Sequence, residues 1–165
     1  MIYYPIKFES IALAEPNYAG NIIVVLANLP DFLRTPILKK RMIEFFAMGD
    51  LEKKQLVNNA LEAGPTIPFP NFSKLFKTWL EILTVLPEDQ RSGLFSAYID
   101  AISESPQKII AFNLDGILEI FLSLDDEKQK IISQSVKKII YGFENEKKRK
   151  LLVIIPDNAQ KHLSL

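Results

Sequence analysis

The stretch PFPNFSKLFKTWLEILTVLPEDQRSGLFSAYIDAI, from Pro68 to Ile102, reads as two helices that meet at Leu86-Pro87. Phe72, Leu75, Phe76, Trp79, Leu80 and Leu83 stand at i, i+3, i+4, i+7, i+8 and i+11, the apolar stripe of a helix with one buried face. Pro87 suits the first turn of the following helix, where its missing N–H is not needed, and Glu88 and Asp89 complement the positive end of that helix's dipole. Leu94, Tyr98, Ala101 and Ile102 give the second helix a buried face of its own.

The same outline recurs on either side at an interval of 38 residues. Pro30, Pro68 and Pro106 align as starts of a first helix, and Gly49, Pro87 and Asp125 as starts of a second. Inside the first helices Leu38, Phe76 and Leu114 share a column, as do Met42, Leu80 and Leu118; Phe45, Leu83 and Phe121; and Met48, Leu86 and Leu124. Inside the second helices the columns are Leu56, Leu94, Ile132; Ala60, Tyr98, Val136; and Ala63, Ala101, Ile139. Successive columns lie three or four residues apart, which is the helical step. Three hairpins of common length, each unable to bury its apolar face alone, predict an all-α fold of antiparallel helical hairpins stacked as a short α-solenoid. An irregular helical bundle of similar helix lengths is the alternative.

The period, together with a junction in which acidic residues precede Arg91 at the opening of the second helix, resembles HEAT-like helical repeats. The resemblance covers Pro30 to about Phe143, with Asp50 to Lys53 and Asp126 to Lys128 as approximate versions of the junction. It implies a stack of hairpins that serves as a binding surface and carries no activity of its own.

With 165 residues, 48% of them hydrophobic and 24% charged, the chain can bury one sizeable core, so a single α-helical domain spanning 1–165 is expected. Residues 1–29 form an N-terminal arm and capping helix, 30–143 the three hairpins, and 144–165 a basic C-terminal helix and tail. In Met1 to Ala14, Ile2, Tyr4, Ile6 and Phe8 alternate as a strand would; with no convincing second strand, the segment reads as an extended arm on the helices. Pro16 opens a helix through Leu29 that is apolar nearly all round, and such a helix is expected to be buried. Thr35-Pro36 resembles a cap followed by a first-turn proline, so the next helix is expected to break there. Ala63 to Pro70, AGPTIPFP, reads as the longest loop, and Ser105-Pro106 as the cap of a helix that carries Ile109, Ile110, Leu114, Ile117, Leu118 and Phe121 on one stripe.

No cysteine is present, which removes disulfides, thiolate metal sites and a cysteine nucleophile and fits a reducing compartment. No segment reaches the about 20 apolar residues of a membrane span, and the first residues lack the basic-then-apolar pattern of a secretory signal. A cytoplasmic protein that does not contact membrane is the expectation.

Catalytic chemistry has little to stand on. The single histidine, His162, lies in the last few residues, and the six glycines are scattered without a phosphate-binding loop. Glu88-Asp89 and Asp125-Asp126-Glu127 could divide acid and base roles, but each lies at a predicted helix start, where caps and dipole complements account for it. Glu44, Glu81 and Glu119 recur at similar places in the first helices, as a solvated polar face would. Trp79 sits within an apolar stripe and reads as core. No enzyme, no catalytic residue, no cofactor and no metal are expected.

Charge is balanced overall and uneven along the chain: +2 over residues 1–79, −8 over 80–127 and +6 over 128–165. The basic end is built from Lys137, Lys138, Lys147, Lys148, Arg149 and Lys150, a pattern that a solvated terminal helix also produces. With Tyr98 and Tyr141, which lie on second-helix faces, these six residues are the candidate partner-binding set. The expected function is a non-enzymatic protein-protein interaction module or scaffold subunit, binding another protein or a second copy of itself. The alternative is an accessory nucleic-acid-binding protein that uses the basic end, which the neutral total charge disfavours.

Overall fold

A computed structural model describes residues 18–165, and every regular element among them is helical. The elements are α1 (Tyr18–Ala27), α2 (Asp31–Phe45), α3 (Asp50–Ala63), a 3-10 turn (Gly64–Thr66), α4 (Phe69–Val85), α5 (Glu88–Glu104), α6 (Gln107–Ile110), α7 (Leu114–Leu122), α8 (Asp126–Tyr141), α9 (Asn145–Ile154) and α10 (Asp157–Leu163). None is long and apolar enough to cross a membrane. The arm expected over residues 1–15 lies outside the described residues.

Alternate helices pack side by side. α2, α4 and α7 form one layer, and α1, α3, α5, α8 and α10 form the other. The helix that opened the sequence reading, α4, also touches α1 and α8 across the layers, so the array closes around it. Its burial follows: Leu83 has no exposed surface, Leu80 and Ile82 are 3% exposed, and Phe72, Leu75 and even Thr78 are buried. All seven apolar columns are buried or half-buried at every member. Leu80, Leu83 and Phe121 join one continuous core, with Trp79 and Leu118 packed against it.

Prolines set the junctions, one position earlier than the first turn. Pro30, Pro68, Pro87 and Pro156 are N-caps with φ between −62° and −53° and extended ψ. A proline is locked near that φ, and its carbonyl accepts the first helical N–H, as Pro30 does from Arg34 and Pro87 from Arg91, both at 2.9 Å. Proline here aims the chain into the helix without a side-chain cap.

Two of these junctions are fastened by an arginine. Arg34, 2% exposed, donates from Nε to Thr78 Oγ1 at 3.0 Å and from Nη1 to the Leu29 carbonyl at 2.5 Å, and pairs with Asp31. Arg91 repeats the arrangement: Nε to Ser135 Oγ at 2.9 Å, Nη1 to the Leu86 carbonyl at 2.9 Å, and Nη2 to Glu88 at 2.6 Å. In both cases the hydroxyl acceptor lies 44 residues ahead, on the neighbouring helix of the same layer, α4 for Arg34 and α8 for Arg91. Gln129 and Gln160 keep part of the pattern, each donating to a carbonyl five residues back, Leu124 and Ile155.

Several local expectations are corrected. α2 does not break at Pro36: it runs unbroken through it. The carbonyl left without a donor is that of Phe32, on the exposed side where water can take the bond, while Arg34 secures the first turn. Ala63 to Pro70 is no long loop, because Gly64–Thr66 is a 3-10 turn and α4 starts at Phe69. The helix expected from Pro106 is interrupted instead at Ala111 to Asn113. Asn113 caps α7 by accepting from the Gly116 N–H, and Phe112 turns inward to lie 5.4 Å from the Phe72 ring. That turn depends on two glycines, since a Cβ at Gly64 would meet the Phe112 ring at 2.5 Å and one at Gly116 the Phe69 ring at 2.3 Å. The tail is helical too, as α10, which packs on α8. α1, expected to be buried, is buried at Leu26 and Ala27 but exposes Ile22, Val24 and Val25.

Candidate functional site

α1 and α2 head the two layers. α1 packs on α3 and α2 on α4, and no described helix covers their other sides. α2 therefore buries a single line of side chains, Arg34, Leu38, Met42 and Phe45. The rest of its surface faces solvent, and much of it is apolar: Phe32 is 75% exposed, with Leu33, Ile37 and Ile43 also exposed. Val25 of α1, 59% exposed, and its neighbours Ile22 and Val24 extend the apolar surface beyond the Pro30 turn. Lys39, Lys40 and Arg41 are the exposed cations on the same helix, and Arg41 is partly neutralised by Glu44 at 3.0 Å.

At the other end, the structure divides the residues grouped from sequence. Tyr141, Lys137 and Lys148 come together: the Lys148 Nζ lies 3.9 Å and the Lys137 Nζ 5.6 Å from the Tyr141 ring centre. Tyr141 also donates to the Ser164 carbonyl at 3.4 Å, which ties the tail to this cluster. Lys147 turns away to bond Asp100 at 2.8 Å with its Nζ over the Phe143 ring, and Lys150 pairs with Glu146 at 3.6 Å. Lys138 and Arg149 are exposed. Much of the basic end is thus engaged by its own acids and rings.

Tyr98 does not belong to that end or to any outer face. Its ring packs edge-on against Trp79 at 5.3 Å between centres, and burial pushes its hydroxyl up to about 12. Phe72, Phe76 and Trp79 stack in succession along α4, with centres 5.6 and 5.7 Å apart. Together these rings line an apolar cavity of about 460 Å³ between the layers. Tyr98 is half-buried and is one of the residues that line this cavity.

The predicted carboxylate pairs are structural. Asp125 caps α8 by accepting from the Lys128 N–H at 2.9 Å. Burial opposes ionisation of Glu88, but hydrogen bonds from Arg91, Ser92 and Ser135, together with the Arg91 charge, outweigh it and hold the carboxyl below its ordinary 4.5. Of the three recurring glutamates, Glu81 meets Lys128 at 3.3 Å and Glu44 meets Arg41 at 3.0 Å. Among the described residues there is no cluster of three or more His, Cys, Asp or Glu able to hold a metal.

Sequence reasoning missed both the apolar end and the cavity. The signal for the first was present in the run IIVVL beside LPDFL: a helix apolar on all sides is either enclosed or offered to a partner. No protein-family model, no curated protein and no solved structure matches this chain.

Proposed function

We propose that the chain is a non-enzymatic interaction module, a HEAT-like array of hairpins whose α1/α2 end docks the apolar face of a partner protein. The observation that carries this reading is Phe32, 75% exposed beside Leu33 and Ile37, with Val24 and Val25 exposed on the adjoining helix. Stacked helical arrays need their terminal units covered, and contiguous apolar surface left in water marks an interaction site. The lysines at positions 39 and 40 favour a partner whose apolar patch is flanked by acids. Nucleic acid is disfavoured, because two of the basic-end lysines already pair with Asp100 and Glu146.

The test is affinity capture from the native cell with three baits: the natural chain, Phe32→Glu, and the triple Lys147→Glu, Lys148→Glu, Lys150→Glu. A stoichiometric protein held by the first and third baits and lost from Phe32→Glu supports the α1/α2 end as the docking face. A partner retained by Phe32→Glu and lost from the triple reversal moves the site to the basic end and refutes the proposal.

A further inference from the structure

The cavity between the layers has the size of a small-molecule site, about 460 Å³ against the about 300–1,000 Å³ usual for such sites. Among the described residues, three of its lining side chains carry polar atoms: Arg41, Trp79 and Tyr98. The Arg41 guanidinium is half exposed and held by Glu44. Trp79 Nε1 and Tyr98 Oη have no hydrogen-bond partner among the described residues, yet neither is sealed against protein atoms. Both are donors, on rings in contact with each other. Among the described residues the interior therefore offers two donors, one of them a hydroxyl that can also accept, and a large apolar surface.

Water gains little in an apolar space of this size, and walls without partner atoms forgo packing contacts. A guest that is mostly hydrocarbon restores those contacts, and a single accepting oxygen satisfies what the walls leave open. A carboxylate would be a poor head group, since the deep wall carries no cation and an unpaired buried charge is strongly disfavoured. We propose that this cavity binds a neutral, chain-like apolar molecule with one hydrogen-bond-accepting oxygen, of the long-chain ester, ketone or alcohol class, with Tyr98 Oη as the donor. The tyrosine suits this role because its hydroxyl stays protonated, and so a donor, throughout the physiological range. The described lining includes Ile22, Ile23, Leu38 and Arg41 of α1 and α2 but neither Phe32 nor Val25, so Phe32→Glu and Tyr98→Phe test the two readings separately.

Trp79 is the only tryptophan in the chain and forms part of the cavity wall, so its fluorescence reports occupancy directly. The full chain is titrated with the methyl ester of cis-parinaric acid, following energy transfer from Trp79, with 2-hexadecanone as competitor and free cis-parinaric acid at pH 8 as the charged comparison. Transfer should saturate at one ester per chain, fall on addition of the ketone, and require at least tenfold more of the anionic acid. Tyr98→Phe should weaken ester binding about five- to tenfold, the loss of one hydrogen bond, while stability in urea is unchanged or raised, because the hydroxyl has no partner in the free chain. Absence of saturable transfer, equal binding of acid and ester, or an unchanged affinity in Tyr98→Phe would each overturn the assignment.

Discussion

Replacing Arg34 with alanine tests the fastening of the helix junctions most directly. The guanidinium makes two bonds that nothing nearby replaces, to the Leu29 carbonyl and the Thr78 hydroxyl. Hydrogen bonds from a charged donor contribute about 1.5–3 kcal/mol each. The Asp31 carboxylate is 87% exposed, so that ion pair adds under about 1 kcal/mol. Arg34→Ala should therefore cost about 3–5 kcal/mol. At about 2–4 °C per kcal/mol for a chain of this size, a loss near the middle of that range lowers Tm by about 8–16 °C. Arg34→Lys keeps the charge but not the fork and should lie between the two. A double-mutant cycle with Thr78→Val isolates the 3.0 Å bond, and a coupling of about 1–2 kcal/mol is expected. Urea melts that show a loss below about 1 kcal/mol for Arg34→Ala, or no coupling to Thr78, would refute the idea that the junction is held by this side chain.

Leu83→Ala, at a position with no exposed surface, should cost about 2–5 kcal/mol, and the half-buried Leu118→Ala distinctly less; parallel urea melts compare them. Gly116→Ala sets a methyl 2.3 Å from the Phe69 ring and should destabilise by about 1–3 kcal/mol, with a lowered thermal midpoint as the measure. Because the Glu88 carboxyl is held below 4.5 in the folded chain, its contribution is present above that pH and is lost as pH falls through the folded value. Glu88→Gln should flatten the acid limb of a stability-versus-pH curve, and an unchanged limb would show that the bonds from Arg91, Ser92 and Ser135 carry no such dependence. Lys147→Glu replaces an exposed pair with Asp100 and should change stability by less than about 1 kcal/mol, in contrast to Arg34.

The helical period made the all-α class and the buried columns legible, because an i, i+3, i+4 pattern fixes which side chains share a face. It says less about what lies opposite that face. Val24 and Val25 read as core because they sit in an apolar helix; they are exposed because α1 heads its layer, with α3 as its described neighbour within that layer. Tyr98 reads both as part of its helix's buried face and as a candidate partner-binding aromatic; its packing against Trp79 places it in the interior. The break at Ala111 to Asn113 hinges on Gly64 and Gly116 admitting aromatic rings, a contact between distant segments that no local pattern encodes. LPDFLR at 29–34 was legible in principle, since it matches LPEDQR at 86–91. The two lie 57 residues apart, one and a half hairpins, so a comparison at 38 residues passes between them. Pro36, which suggests a helix start just downstream, drew attention away from Arg34.

The placement of the two arginine junctions has a mechanical consequence. Arg34 ties α2 to α4, and Arg91 ties α5 to α8, so each layer holds one rivet, the first spanning residues 34–78 and the second 91–135. α9 and α10 lie beyond both, attached through Lys147 to Asp100 and through Tyr141 to the Ser164 carbonyl. Under tension applied at the carboxyl end, those exposed attachments peel first, and the segment between Arg91 and Ser135 resists next as one block. A protein drawn through a narrow pore from that end would therefore surrender its last two helices with little force and stall at the second rivet.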